Sequence, residues 1–337
     1  METVELGRTG ERVSRLGLGC MHMGTATDQA TSFRVLDRFL DVGGTFLDTA
    51  DCYAWWSRPE SPGGGESEEL LGRWFATRGR RDEVFLATKG GAGPRDLDAV
   101  WKGGDTPDRE LAARTRLGAG GDTLRRAIDA SLRRLGTDYV DLYYVHVDDR
   151  STPLAETLAA LAGIVQAGKA RYIGWSNVSV WRLERIRQLC DRHGWPAPVA
   201  LQQQHTYLRQ RPGSSHYTIV SHEQLDYLRE NPEITLVPYA PILKGIYDDP
   251  AKRREHWVMG PFRGSDADAR FAALDEVAGE LGVTPNQLVL GWFLHQDTPP
   301  MVPLMGPRTW EQFEAALPAL EIRLTGDQLS RLEEAGG

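Results

Sequence analysis

Cysteine is scarce. Cys20, Cys52 and Cys190 are the only three, odd in number and far apart, and no two have CxxC spacing. That argues against a disulfide framework and a zinc site, and it fits a reducing, cytoplasmic setting. No apolar run approaches the ~18 residues of a membrane span. The opening Met1-Glu2-Thr3-Val4-Glu5 has neither the basic region nor the apolar core of a signal peptide. Positive charge is not in excess: 39 Lys and Arg against 47 Asp and Glu leave a net charge of −8. Neither a nucleic acid nor an anionic membrane is therefore expected as a partner. A Gly-rich dinucleotide fingerprint is also missing, because Gly17-Leu18-Gly19-Cys20-Met21-His22 does not complete it. Gly63-Gly64-Gly65-Glu66-Ser67 lacks the Gly-Lys-Ser/Thr ending of a phosphate loop. Ser67, with Leu70 and Leu71 behind it, is expected to cap a helix.

What is present is a rhythm. The 337 residues are 41% apolar and 26% charged, an ordinary balance for a large buried core. After a short hairpin turning at Gly10, strand-like and helix-like stretches alternate about eight times without a linker. Strands are expected at 16–20, 46–48, 84–88, 140–145, 171–175, 199–203, 235–238 and 301–303, with amphipathic helices between them. Two helices, Arg270–Leu281 and Pro285–His295, are expected before the last strand. This pattern predicts a single α/β domain over 1–337: a closed (β/α)8 TIM barrel with an N-terminal β-hairpin, its active site at the C-terminal strand ends. Three connections on that rim are long, roughly 90–122, 204–221 and 239–268. Their aromatic residues Trp101, Tyr207, Tyr217, Tyr247, Trp257 and Phe262 are expected to wall a cleft.

Three successive strands end in titratable groups. Asp48 follows Phe46-Leu47, Lys89 follows Val84–Thr88, and His146 follows Tyr139–Val145. On parallel strands these three meet near Tyr53. A carboxylate at a strand end needs a cationic partner, and Lys89 supplies it to Asp48. Lys89 is expected to lower the Tyr53 pKa, and His146 to orient a substrate oxygen. Such a set can protonate a carbonyl oxygen. It has no obvious nucleophile and no metal-ligand spacing, so hydride from a bound cofactor completes the chemistry.

The motifs resemble those of the aldo-keto reductase superfamily over nearly the whole chain. The resemblance rests on Leu6-Gly7-Arg8-Thr9-Gly10, Phe46-Leu47-Asp48-Thr49-Ala50-Asp51-Cys52-Tyr53, Leu86-Ala87-Thr88-Lys89, Leu135–His146, Gly174-Trp175-Ser176-Asn177 and Gly306-Pro307-Arg308. It implies an NADPH-dependent, or less often NADH-dependent, metal-free oxidoreductase interconverting a small-molecule carbonyl and an alcohol. Asp48, Tyr53, Lys89 and His146 would be its catalytic residues, Tyr53 the general acid. Ser176, Asn177 and Gln202 would hold the nicotinamide carboxamide, with His205 at the stacking position. Tyr239, Ala240, Pro241, Ile242, Lys244 and Gly245 would line the diphosphate. Gly306, Arg308 and Gln312 would lie at the adenosine end, Arg308 reaching a 2′-phosphate. Ala315-Ala316 stands where the family has a Glu-Asn pair.

Trp55, Trp56 and Trp101 are candidate substrate contacts, suited to a sugar or polyol as well as to an aromatic or aliphatic aldehyde. Cys52 is read as a packing residue, and His22, His193, His216 and His295 as structural. The superfamily also contains cofactor-sensing regulatory barrels with slow turnover; a long N-terminal extension or docking segment would mark that alternative. Oligomeric state leaves no signal in these residues.

Overall fold

The computed structural model describes residues 1–57, 63–102, 105–211, 213–214 and 216–337. Its first strands, β1 (Thr3–Glu5) and β2 (Arg12–Ser14), pair antiparallel. Leu6 and Val13 are fully buried against Phe46, Phe85, Ala200 and Val237, so the hairpin plugs the N-terminal mouth of the barrel. Gly7 makes the close approach possible: at φ +58° a Cβ there would lie 2.5 Å from the Glu233 carbonyl oxygen.

Eight parallel strands follow: β3 (Gly17–Gly19), β4 (Phe46–Asp48), β5 (Phe85–Gly90), β6 (Val140–Val145), β7 (Ala170–Ser176), β8 (Ala200–Gln204), β9 (Thr235–Tyr239) and β10 (Leu304–Met305). Their order is β10-β3-β4-β5-β6-β7-β8-β9. The ring closes where Val302 N donates to the Leu236 carbonyl at 2.9 Å and Leu236 N to that of Pro300 at 3.1 Å. The last strand is thus split. Residues 300–302 meet β9, and Leu304–Met305 meets β3. Pro299, Pro300 and Pro303 lack an N–H, which interrupts the ladder that the expected strand at 301–303 would have made.

Two helices begin earlier than expected. One runs over Ser265–Leu281, starting five residues before Arg270, with Asp266 and Asp268 in its first turn. Acidic residues read as loop, but they suit the positive end of a helix. The other, Glu66–Arg78, is entered through Gly65 at φ +108° with no side-chain cap. Ser67 does not cap it. Its hydroxyl donates to the Cys20 carbonyl and meets Thr49 Oγ1, both at 2.8 Å. Among the described residues, no helix is long and apolar enough to cross a membrane.

Side chains alternate along each strand, and the parity decides the site. Phe46, Phe85 and Ala87, Leu142 and Tyr144, Ala200 and Val237 fill the barrel interior. Two residues further on, the same parity carries Asp48, Lys89, His146, Gln202 and Tyr239. Leu47, Leu86, Tyr143, Ile173 and Leu201, on the opposite parity, pack against the helices.

Candidate active site

Lys89 is the knot of the site. Its side chain is fully buried. Nζ donates to Asp48 Oδ1 at 2.5 Å, to the Thr49 carbonyl at 2.7 Å and to Tyr53 Oη at 2.8 Å. That uses all three ammonium protons. Asp48 Oδ2 accepts from Gln202 Nε2 at 2.7 Å. Gln202, expected only at the cofactor, is therefore also the second partner of the buried carboxylate. Because the Tyr53 oxygen accepts from Lys89, its own proton is free to point at a ligand. The His146 ring stands edge-on to Tyr53, with centroids 5.7 Å apart.

The expected lowering of the Tyr53 pKa is not found. Burial first, then Asp48, raise it well above the ordinary phenol value. Asp48 offsets the charge of Lys89, so desolvation wins. Tyr53 holds its proton and is an acid in reserve. Burial, then Lys89 and Arg116, push His146 well below the usual imidazole value. It is neutral, with one ring nitrogen a donor and the other an acceptor.

Behind Tyr53 lies a buried polar cluster that no spacing announces. Glu68 accepts from Arg134 Nε at 2.7 Å and from Thr88 Oγ1 at 2.5 Å. Burial, then Glu68, lift the Asp51 carboxyl to about 7, Arg134 opposing. Cys52 Sγ lies 3.6 Å from His146 Nδ1. One ligand atom each from Asp51, Cys52 and His146 fall within 4.8 Å of one another. The charges of Lys89 and Arg116 bear on this cluster and oppose a cation there, so we read it as a hydrogen-bonding chain.

The glycine run before Glu66 serves this loop rather than a phosphate. Gly63, Gly64 and Gly65 have φ of +94°, +105° and +108°, and a Cβ on Gly64 would lie 2.4 Å from the Cys52 carbonyl carbon. Gly64→Ala should destabilise the fold by about 1–3 kcal/mol and lower turnover by displacing Tyr53. Thermal melting and turnover measured together would check this.

On the cofactor side, Ser176 is buried. Asn177, at φ +55°, donates to the His146 carbonyl and to Ser176 Oγ, each at 3.0 Å, and accepts from Tyr239 Oη at 2.8 Å. It ties three strand ends together. His205 is placed elsewhere than at a stacking position. It has the helix-facing parity of Leu201 and Gln203, and its ring packs edge-on against Trp292 and Phe293. Burial lowers its pKa to about 3. The ring on the interior parity, next to Asn177, is Tyr239.

Beyond Tyr239 the backbone turns through positive φ at Ala240, Leu243, Lys244 and Gly245, with Pro241 buried and Ile242 half-buried between them. Arg308 is held three ways. Its N–H donates to Gln312 Oε1 at 2.8 Å, its carbonyl accepts from Thr27 Oγ1 at 2.9 Å, and its Nε donates to His22 Nε2 at 3.3 Å. His22 is thus part of this cluster. Burial, Arg308 and Lys244 push it down to about 4, and burial, Arg308 and Arg109 lower Lys244. Every one of these influences is toward the uncharged form, the mark of cations gathered without a carboxylate. Phosphates of a dinucleotide fit such a place. Gly306 is exposed beside it.

Trp56 stands edge-on to Tyr53 at 6.2 Å and to Trp55 at 5.8 Å. Trp101 is 8% exposed and packs with Val100, Ala112 and Trp55, its Nε1 donating to the Trp55 carbonyl at 3.2 Å. It stands behind Trp55 as its support. Tyr207, Tyr247 and Phe262 are core residues rather than cleft walls. Tyr207 donates to the Leu332 carbonyl and Tyr247 meets Thr206 Oγ1. Trp257 and Tyr217 are exposed. Residues 103–104, 212 and 215 of the long connections lie outside the described residues.

A profile of the Aldo/keto reductase family matches residues 15–336. Norsolorinic acid reductase stcV of Emericella nidulans is 31% identical over 339 residues, covering 96% of this chain and 79% of that protein. The NADP(+) aldo-keto reductase yakc of Schizosaccharomyces pombe is 30% identical over 339 residues, covering 96% and 89%. The crystal structure of the thermostable aldo-keto reductase Tm1743 with the inhibitor epalrestat aligns at a TM-score of 0.71 and 26% identity, covering 99% of this chain and 100% of that one. A barrel with its titratable groups on one rim and a family match along nearly its whole length make this chain a member of the aldo/keto reductase family, oxidoreductases that work with nicotinamide cofactors.

Proposed function

We propose that the protein reduces an aldehyde or ketone to an alcohol with NADPH, Tyr53 acting as general acid. The observation that carries this is the direction of one hydrogen bond. Lys89 can only donate, so the Tyr53 oxygen accepts from it and the phenol proton faces outward. A nicotinamide cofactor held there would supply the hydride for the carbonyl carbon. Tyr53 transfers its proton to the carbonyl oxygen, and Lys89 stabilises the phenolate left behind. His146 donates a hydrogen bond to the same oxygen. Ser176, Asn177 and Gln202 would hold the carboxamide of the cofactor, with Tyr239 as the aromatic side chain beside it.

The cluster of Arg308, Lys244 and His22 supports NADPH over NADH. Arg308→Ala should weaken NADPH binding by about 10–100-fold, the worth of a charge-assisted contact, and leave NADH affinity nearly unchanged. Fluorescence titration with both nucleotides measures it. For the substrate we favour an aromatic carbonyl over a sugar. Trp56 stands edge-on to Tyr53, with Trp55 edge-on to Trp56 in turn, and one relative is named as a norsolorinic acid reductase. Stopped-flow NADPH oxidation should show kcat/KM about tenfold higher or more for aryl aldehydes and ketones than for aldoses. Tight NADPH binding with no oxidation by any carbonyl would sink the reductase reading.

A further inference from the structure

His146 has two ring nitrogens, and the proposed reduction uses one. The other, Nδ1, faces Cys52 Sγ at 3.6 Å. Cys52 is 4% exposed and directly precedes the proposed acid. On its other side is Asp51, whose Oδ1 is buried with no hydrogen-bond partner among the described residues. Among the described residues, Asp51 Oδ2 accepts one long hydrogen bond, from Gly91 N at 3.4 Å. Ligand atoms of the three residues lie within 4.8 Å of one another. A thiol both donates and accepts, so it can pass on the hydrogen-bond direction set by its neighbour.

We propose that Cys52 is a positioning residue whose thiol links Asp51 to His146 and fixes which imidazole nitrogen carries the proton. The proposal rests on the reading of His146 as a donor to the substrate oxygen. In that role Nε2 carries the proton, so Nδ1 must accept one hydrogen bond. Nδ1 accepts when the thiol S–H points at it, which happens when Asp51 is protonated and itself donates to Sγ. An ionised Asp51 attracts the S–H instead. Sγ then accepts from Nδ1–H, and Nε2 turns a bare lone pair toward the carbonyl oxygen. The chain is therefore productive with Asp51 protonated and unproductive with it ionised.

The surrounding charges place this change near neutrality. Asp51 faces Glu68 and Arg134, and burial with Glu68 lifts it to about 7. The thiol faces Asp51, Lys89 and Glu68, and is pushed well above its ordinary value, so it stays protonated throughout. The imidazole faces Lys89, Arg116 and the edge of Tyr53, and stays neutral. Raising the pH through about 7 thus moves one proton from Asp51 to solvent and switches the ring tautomer, with no change of charge on His146.

The test is ring nitrogen NMR of the whole chain carrying 15N-labelled histidine, with His146→Asn assigning the signals, alongside turnover from about pH 5.5 to about pH 8.5. The expected wild-type result is Nε2–H below about pH 7 and Nδ1–H above it, with reductive kcat falling about tenfold over the same range. Cys52→Ser keeps both changes, because a hydroxyl also donates and accepts. Cys52→Ala and Asp51→Asn lose both, with NADPH affinity unchanged. A wild-type tautomer constant with pH, or one that switches equally in Cys52→Ala, overturns the proposal. The NMR readout needs no turnover. Switching shifts without carbonyl reduction would sink the reductase reading and leave the link standing, while turnover with fixed shifts would do the reverse.

Discussion

Tyr53→Phe should cut carbonyl reduction by about 10²–10⁴-fold, the usual worth of a positioned general acid, while NADPH affinity stays within about twofold. The substitution removes one oxygen that touches Lys89 and the proposed substrate, and no group in the Arg308 cluster. Two side chains are placed to protonate a carbonyl, and their surroundings separate them. His146 is held well below the usual imidazole value by burial and by Lys89 and Arg116, so at neutral pH it has no proton to give up without becoming an anion. Tyr53 is held in its protonated form by burial and Asp48. Lys89, 2.8 Å away, is ready to stabilise the phenolate that appears as the proton leaves. The direction of the Tyr53 shift also sets the reverse reaction. Alcohol oxidation needs Tyr53 as phenolate, so its rate should climb with pH into the alkaline range, while proton delivery by Tyr53 is fully available below it. Single-turnover stopped flow separates chemistry from cofactor binding. Turnover within about threefold of wild type in Tyr53→Phe would remove Tyr53 from the role.

The group proposed to be catalytic is legible because it obeys two simple counts. Asp48, Lys89 and His146 each end an apolar run, and parallel strands bring their ends to one rim. Each also lies two residues beyond an interior-facing side chain: Phe46, Ala87 and Tyr144. The same count applied to β8 places Gln202 inside and His205 outside. In Leu201-Gln202-Gln203-Gln204-His205, however, polarity gives no clue to which face is buried, so the residue type alone misleads. The partners of buried charge were less visible. Glu68 and Arg134 sit on different helices, 66 positions apart, and meet only because the two helices pack against each other. Ser67 resembled a cap because serine before an apolar pair commonly is one. Gly65 at positive φ let the helix start without it. Cys52 and Asp51 stand in plain view beside Tyr53, but the approach of Cys52 Sγ to His146 Nδ1 depends on the fold of a loop that periodicity does not describe.

Lys89→Met should be the most destabilising single change in the site. Asp48 is 1% exposed, and without Lys89 its charge would keep, among the described residues, only the Gln202 amide as partner. Leaving a buried carboxylate so exposed to desolvation costs about 3–5 kcal/mol. The same reasoning predicts that Lys89→Met with Asp48→Asn is more stable than Lys89→Met alone, since the second change removes the uncompensated charge and keeps an acceptor for Gln202. Activity should not return, because Met and Asn give the Tyr53 oxygen no donor and no cation. Stability and catalysis therefore separate in one pair of residues. The pH dependence gives an independent sign. Burial already raises Asp48 against the opposing pull of Lys89 and Gln202; in Lys89→Met the pull of Lys89 is lost, so its folded pKa lies further above the unfolded value. The folded state then binds more protons, and stability is lost as pH rises through that folded pKa. Urea denaturation of Lys89→Met should accordingly show a higher midpoint in mild acid than at neutral pH, with the double variant nearly flat over the same range. Additive effects of the two substitutions, or no pH dependence in the single variant, would mean that the Lys89 contact with Asp48 is not what holds the carboxylate in the barrel.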